Sequence, residues 1–435
     1  MSRLDELIEK MCPNGVKCLS LEKITSAINI GINPRKFFKL NPDDATGFYV
    51  TVRELNGLQG VKQYEKTDTI NDEAIKIIMD RANIEKGDIL FSNTGTVGKM
   101  AIVIETPKNW GVNEGIYVIK PLCDLVDSRF LYYYLSGKEA YNQYSKKFTG
   151  STLKHVTQKA LLSMQIPVPP LEVQREIVHI LDFFTLLTAE LTAELTARKK
   201  QYNFYRDSLI QKECKSEKVK LNTICEIYDG THQTPKYTNS GIPFVSVENI
   251  DDLYGTQKFI SPEAYEKYKI KPRTGDVFMT RITAGIIGKC TVVDRDDDLA
   301  YYVSLALLRP NVDILDSKYL KYYLESGWGR RELSKWILWD ATPTKINKDD
   351  IGRVLISVPP LDTQKRLVQV IEHFDVICTD LNIGLPAEIE ARQKQYEYYR
   401  DLLLTFAETG STLMTDRQTD RQTDRQTDRQ TDRQS

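Results

Sequence analysis

The sequence predicts an α+β protein written twice: two mixed α/β domains separated by two long helices, pseudo-twofold and circularly arranged. Three observations carry this. Framework words recur at a spacing near 190 residues: PVPPLEVQREIVHIL (167–181) returns as SVPPLDTQKRLVQVI (357–371), and KKQYNFYRDSL (199–209) as QKQYEYYRDLL (393–403). Between these words the chain shows short β-type runs broken by turn residues. Finally, the opening LDELIEKMCPNGVK (4–17) matches RDSLIQKECKSEKVK (206–220), which leads into the second half. The N-terminus therefore reads as the tail of the repeating helix, and the chain ends are expected to meet.

Taken in order, residues 1–16 form the end of that helix and residues 17–165 the first mixed domain, with runs ILFSN, MAIVIE and IYVIK. Residues 166–215 are the central helix, 216–355 the second mixed domain with VFMTR, CTVV and VSLALL, and 356–413 the C-terminal helix. GDILFSNTGTVGKMAIV (87–103) is echoed by GDVFMTRITAGIIGKCTVV (275–293), and FLYYYLSG (130–137) by YLKYYLESG (319–327). Outside such words the two domains diverge. The prolines at 169–170 and 359–360 impose an extended approach and suit a helix start. Beyond the first pair, Ile177, Leu181, Phe184, Leu191, Leu195, Tyr202, Tyr205 and Leu209, with Thr188 and Arg198 between them, alternate by four and three. That is a heptad seam, the mark of a helix paired along its length. About 40 helical residues would make a rod of roughly 60 Å. The second copy is four residues longer between PPL and KQY, and GLP at 384–386 should kink or break it.

Composition narrows the function. The chain has 435 residues, 41% hydrophobic and 27% charged, with a formal net charge of −1, an ordinary soluble balance that argues against a non-specific polyanion binder. There is no eighteen-residue apolar run and no signal peptide, so a cytoplasmic location without membrane contact is expected. The seven cysteines form no CxxC pair and read as free thiols. His155, His179, His232 and His373 show no metal-ligand spacing, so no metal is expected. TGTVGKM and AGIIGKC lack the first glycine and the hydroxyl of a phosphate-binding loop and read as hairpin turns. NPRK at 33 and NPDD at 41 are not the Asn/Asp-Pro-Pro-aromatic loop of an adenine methyltransferase. No catalytic constellation stands out, and a binding and scaffolding role is expected.

The duplicated PPLxxQ and KQYxxYRD words, two unlike domains between them, and TAEL written twice at 188–195 together resemble the specificity subunits of type I restriction–modification systems. The likeness is to the subfamily with central TAEL repeats and covers about residues 1–410. It implies two target-recognition domains that each read half of a split DNA sequence. It also implies that the helices pair antiparallel, as a spacer and as the docking surface for two methyltransferase subunits, with restriction/translocase subunits completing the enzyme. No cofactor is then expected on this chain; S-adenosylmethionine, ATP and Mg2+ belong to the partners. The alternatives are a non-catalytic fragment of a fused restriction–methylation enzyme, or a coiled-coil scaffold with no DNA role.

Base edges are read by hydrogen-bonding side chains, while Lys and Arg on phosphates set register and affinity. Candidate loops in the first domain are NPRKFF (33–38), SNTGTVGK (92–99) and KKFTGSTLKH (146–155), offering Arg35, Lys36, Asn93, Thr94, Lys99, Lys147, Ser151 and Lys154. Those in the second are THQTPKYTNS (231–240), TRITAGIIGK (280–289) and DATPTKINK (340–348), offering His232, Lys236, Arg281, Thr283, Lys289, Thr342, Thr344 and Lys345. Because the domains differ, the target should be bipartite and asymmetric.

The TAEL repeat, with Thr188, Leu191, Thr192 and Leu195, fits a ruler: four helical residues add roughly 6 Å, comparable with one or two base pairs. Four is not seven, so each unit also acts as a stutter in a coiled coil. The tail TDRQTDRQTDRQTDRQTDRQS (415–435) is polar, repetitive and expected to be disordered, with a salt-bridged helix as the alternative. Its period matches the tetranucleotide ACAG, which encodes Thr-Asp-Arg-Gln in every frame. Such a DNA tract slips in replication and would switch whatever sequence follows it. Sequencing the gene should therefore reveal an uninterrupted ACAG array; mixed codons there would remove the switch.

Overall fold

The computed structural model of the chain describes residues 3–34, 37–150, 154–213, 218–379 and 385–409. They form two compact units, one drawn from residues up to 190 and from 390 onward, the other from residues 191–389. Each unit thus joins one mixed domain to helical segments from both copies of the repeat.

In the first unit a four-stranded antiparallel sheet runs in the order Thr25–Ile30, Ile116–Pro121, Ile89–Ser92, Met100–Ile102. Ile89, Phe91, Tyr117 and Ile119 face a core shared with the helix Ser128–Ser136 and the central helix. Leu90, Ile116 and Val118 face a second core, under the helix Asp72–Ala82 and a three-stranded sheet of Thr69–Ile70, Gly47–Val50 and Trp110–Val112. Side chains alternate across a strand, so a strand covered on both faces loses its polar alternation. That is why Ile89, Leu90 and Phe91 read as one apolar run.

The second unit repeats this topology. Its four-stranded sheet runs Cys225–Asp229, Leu305–Pro310, Val277–Thr280, Cys290–Val292, and its three-stranded sheet Phe259–Ile260, Ile242–Val245, Ala300–Tyr301. The largest departure is local: the short helix Pro262–Tyr265 occurs where the first unit has Asp72–Ala82. In both, a two-stranded ribbon precedes the proline pair, Cys18–Ser20 with Gln165–Pro167 and Lys218–Lys220 with Leu355–Ser357.

The repeated words are the joints of this scaffold. Gly87 and Gly275 take positive φ (91° and 89°), where a side chain would be strained. The aspartate after each is buried and holds a cation from the neighbouring strand. Lys120 Nζ lies 2.7 Å from Asp88, and Arg309 grips Asp276 through two nitrogens at 2.9 and 2.7 Å. The glutamine of PPLxxQ is fully buried in both copies. Gln174 Nε2 donates to the carbonyls of Leu125 (2.9 Å) and Pro169 (2.7 Å), while its Oε1 accepts from the Asp127 N–H (2.8 Å). Gln364 does the same with Ile314 (2.8 Å), Pro359 (2.7 Å) and the Asp316 N–H (2.8 Å). Asp127 and Asp316 in turn cap the helices Ser128–Ser136 and Ser317–Glu325.

The central helix spans Leu171–Glu213; the second copy is described over Leu361–Thr379 and Leu385–Thr409. Gly384 of the expected break lies outside the described residues. Pro386 sits in the first turn of its helix, where its missing N–H costs nothing. In the first unit Phe184 stacks on Tyr399, rings 5.4 Å apart at 20°; in the second Tyr205 stacks on Phe374, 6.1 Å apart at 19°. Positions 184 and 374 are equivalent in the repeat, as are 205 and 399, so the antiparallel pairing is made twice from one pair of residues. The YRD word ties each helix end to a domain. Asp207 accepts from the Gly327 N–H at 3.0 Å in the second unit, and Asp401 from the Lys138 N–H at 3.5 Å in the first. Arg206 and Arg400 each bond their neighbouring aspartate and lie over Tyr202 and Tyr396.

The seam needs one amendment. Arg198 is exposed and pairs with Glu194, whereas Arg206 and Ile210 are buried against the second domain. The helix end therefore has a pairing face at Tyr205 and a domain face at Tyr202, Arg206 and Ile210. At the other end, the helix Arg3–Met11 places Leu4, Leu7, Ile8 and Met11 in the cluster that holds Leu403 and Leu404, so the helical ends do meet.

Gln364→Ala would leave three backbone groups without their buried partner, and each such loss costs about 1–3 kcal/mol. The variant should lower the unfolding free energy of the second unit by about 3 kcal/mol in denaturant titration. Gln174→Ala should do the same to the first; a change under about 0.5 kcal/mol would contradict the bracing role.

Candidate nucleic-acid interface

Two loop sets leave each domain at matching places. The first follows the edge strand of the four-stranded sheet, where a glycine touches backbone. A Cβ on Gly31 would lie 2.1 Å from the Asn113 carbonyl oxygen, and one on Gly230 2.5 Å from that of Tyr302. Only glycine passes this gap, so NPRKFF and THQTPKYTNS issue from one topological position, which the sequence alone did not reveal. Arg35 and Lys36 lie outside the described residues. His232 and Lys236 are exposed.

The second set joins the turn after the central strand to a hairpin before the proline pair. In the first domain Gly95 N–H donates to the Lys154 carbonyl at 3.0 Å, Val156 N–H to the Asn93 carbonyl at 3.0 Å, and Thr94 Oγ1 lies 2.9 Å from His155 Nδ1. In the second, Thr283 N–H donates to the Thr344 carbonyl at 3.0 Å and Ile346 N–H to the Arg281 carbonyl at 2.9 Å. The structure thus brings SNTGTVGK against KKFTGSTLKH, and TRITAGIIGK against DATPTKINK.

Within this set the candidates divide by exposure. Asn93 and Arg281, at equivalent positions, are both buried and spent on the scaffold. Asn93 Nδ2 donates to the Glu114 carbonyl at 3.1 Å; Arg281 pairs with Asp229 and donates to the Ile346 carbonyl at 3.2 Å. Lys99 reaches the Arg53 carbonyl (3.2 Å), and Lys289 pairs with Asp251 at 2.5 Å. Thr283 is half-buried, its hydroxyl accepting from the Gly285 N–H. Lys147 and Lys154 are exposed, the former 2.6 Å from Ser163 Oγ and the latter over the Phe148 ring. Thr342 is exposed, while Thr344 and Lys345 are half-buried; Ser151 lies outside the described residues. Beside the first hairpin, Tyr141, Tyr144 and Phe148 form an aromatic cluster, and burial pushes the Tyr144 hydroxyl up to about 12 with Tyr141 adding to it. Trp339, 64% exposed, marks the second hairpin. Sequence reasoning passed over both; an aromatic next to a basic, hydroxyl-rich turn was the available signal.

The spacer residues lie on the central helix. Leu191 and Leu195 are half-buried with Thr188, Thr192 is exposed, and the boundary between the two units falls between Glu190 and Leu191, within the TAEL repeat. Burial raises the Cys225 thiol to about 12 and lifts Cys290 as well, as expected of unreactive core thiols. Among the described residues no His/Cys/Asp/Glu group could hold a metal, and no described helix is long and apolar enough to cross a membrane.

Two domains of one topology that carry unlike loops at matching positions describe a protein with two related recognition domains. The model for the type I restriction modification DNA specificity domain matches residues 24–198 and again 214–391, and the chain belongs to this family. It is 29% identical over 366 residues to a type I restriction enzyme specificity subunit of Haemophilus influenzae, covering 81% of this chain and 87% of that one. To the EcoR124I/EcoR124II specificity subunit of Escherichia coli it is 32% identical over 301 residues, covering 64% and 70%. A chain solved for the complex assembly and conformational transition of the type I R-M system has the same fold, with a TM-score of 0.59 at 21% identity over 90% of this chain and 98% of that one. The protein is a DNA specificity subunit, and its role is recognition rather than chemistry.

Arg281→Ala strips the partner from the mostly buried Asp229 and should destabilise the second unit by about 3 kcal/mol in thermal or denaturant unfolding. A variant with parental stability and lost DNA binding would place Arg281 on DNA instead.

Proposed function

We propose that residues 17–165 and 216–355 each read one half of an asymmetric bipartite duplex target, while the helices at 166–215 and 356–413 space the two readers. The observation that carries this is one topology bearing unlike loops at matching positions. A shared frame suits two like grips on one duplex, and unlike loops suit different bases. The candidate contacts are the loop residues named above. Those already committed to the scaffold, Asn93 and Arg281, set loop geometry, and the exposed Lys147, Lys154, Lys236, His232 and Thr342 face the nucleic acid.

The helices also offer a repeated surface for two methyltransferase subunits, with restriction/translocase subunits added to that core. S-adenosylmethionine, ATP and Mg2+ act on those partners. Adenine chemistry requires a base taken out of the stack, and this chain holds the duplex while its partners do so. The TAEL repeat is the ruler, and the TDRQ tract, outside the described residues, is the switch. The cell compartment is the cytoplasm, where the host DNA is.

Deleting one TAEL unit removes roughly 6 Å of helix and should shorten the gap between half-sites by one or two base pairs while leaving both half-sites unchanged. A genome-wide map of methylated adenines in the deletion strain measures this. An unchanged gap rejects the ruler, and identical half-sites in the parent reject the asymmetric target.

A further inference from the structure

The second domain has a groove that the loop candidates only partly cover. It holds about 720 Å3 between the loop after the edge strand and the segment that follows the short helix Pro262–Tyr265. Lys236, with Gln233 and Thr234, lines it from the loop, and Lys267 and Lys269, with Tyr268, from the segment after the helix. The three lysines are exposed. The one carboxylate on the lining, Asp229, is already committed to Arg281. None of the three lysines has an ion-pair partner among the described residues. The neighbouring Lys271, by contrast, pairs with Glu266 at 3.1 Å and lies 4.5 Å from the centre of the Tyr265 ring.

Three exposed ammonium groups on one groove, with no free carboxylate on its lining, make a surface that favours an anion. In a domain that handles DNA, the anion with repeated charge at close spacing is the phosphodiester backbone. The first domain carries the longer helix Asp72–Ala82 where this wall stands, so the groove belongs to the second domain's own way of holding its half-site. We propose that Lys236, Lys267 and Lys269 clamp consecutive phosphates of one strand. They would set the register in which the second domain's loops meet base edges, without themselves choosing the bases. This rests on the family assignment and on the loop after the edge strand facing DNA.

The test uses the full chain assembled with its methyltransferase partner and a duplex carrying its methylated site, with binding measured across salt concentrations. Replacing Lys267 and Lys269 together by Ala should lower affinity on the order of tenfold at low salt and flatten the log–log salt dependence by about two, leaving the methylated sequence unchanged. Lys271→Ala, two residues further along, should leave the slope in place. Parental slope and affinity in the double variant would overturn the clamp, as would an equal effect from Lys271→Ala; in both cases the specificity role stands. A parent complex with no site preference would instead remove the DNA reading itself and the clamp with it. Circular dichroism and unfolding midpoints equal to the parent's establish that these exposed substitutions act on binding.

Discussion

A single buried amide, used twice, holds each domain to its helix. Gln174 and Gln364 each satisfy one carbonyl of the proline approach and, on the loop before the next helix, one carbonyl and one N–H. An asparagine is one methylene too short, and a glutamate lacks the donors and would bury a charge. The N–H that each glutamine accepts from belongs to the aspartate that caps the next helix. Helix start, domain edge and capping helix are therefore one hydrogen-bonded object, and the loops ride on it.

The other end of each helix is fixed by exchange. Asp207, in the first copy of the repeat, bonds into the second domain, and Asp401, in the second copy, bonds into the first. Each unit is completed by helix from the other half of the sequence, which is why the compact units do not follow the order of the chain. The stacked pairs Phe184–Tyr399 and Tyr205–Phe374 carry the same exchange into the coil. Aromatic stacking adds about 0.5–1.5 kcal/mol beyond burial, and its geometry gives the antiparallel register a preference that leucines alone would not.

Much of the scaffold was legible because its physics is local. A capping aspartate, a proline pair, a glycine at positive φ and an apolar strand run each need particular residues at fixed short spacing, so duplication left them as recognisable words. The reading surface was less legible. Asn93 and Arg281 looked like base-reading groups in turn-rich loops, yet both side chains are buried, Asn93 bonding the Glu114 carbonyl and Arg281 the Ile346 carbonyl beside the opposing hairpin. A polar side chain in a loop does not reveal which way it points. The aromatic cluster at Tyr141, Tyr144 and Phe148 was hidden for the converse reason, since helical aromatics read as core.

By itself the sequence determined the twofold repeat, the helices with their proline starts, the strand runs and the meeting of the first helix with the end of the last, since each follows from periodicity or from backbone chemistry within a few residues. Only the tertiary structure decided which halves complete which unit, that two strongly diverged domains share one strand order, and which polar side chains are spent on the scaffold. Those depend on contacts between residues far apart in the chain. A contact such as Asp207 with Gly327, or Arg281 with Asp229, is set by three-dimensional packing and leaves no spacing in the sequence to read.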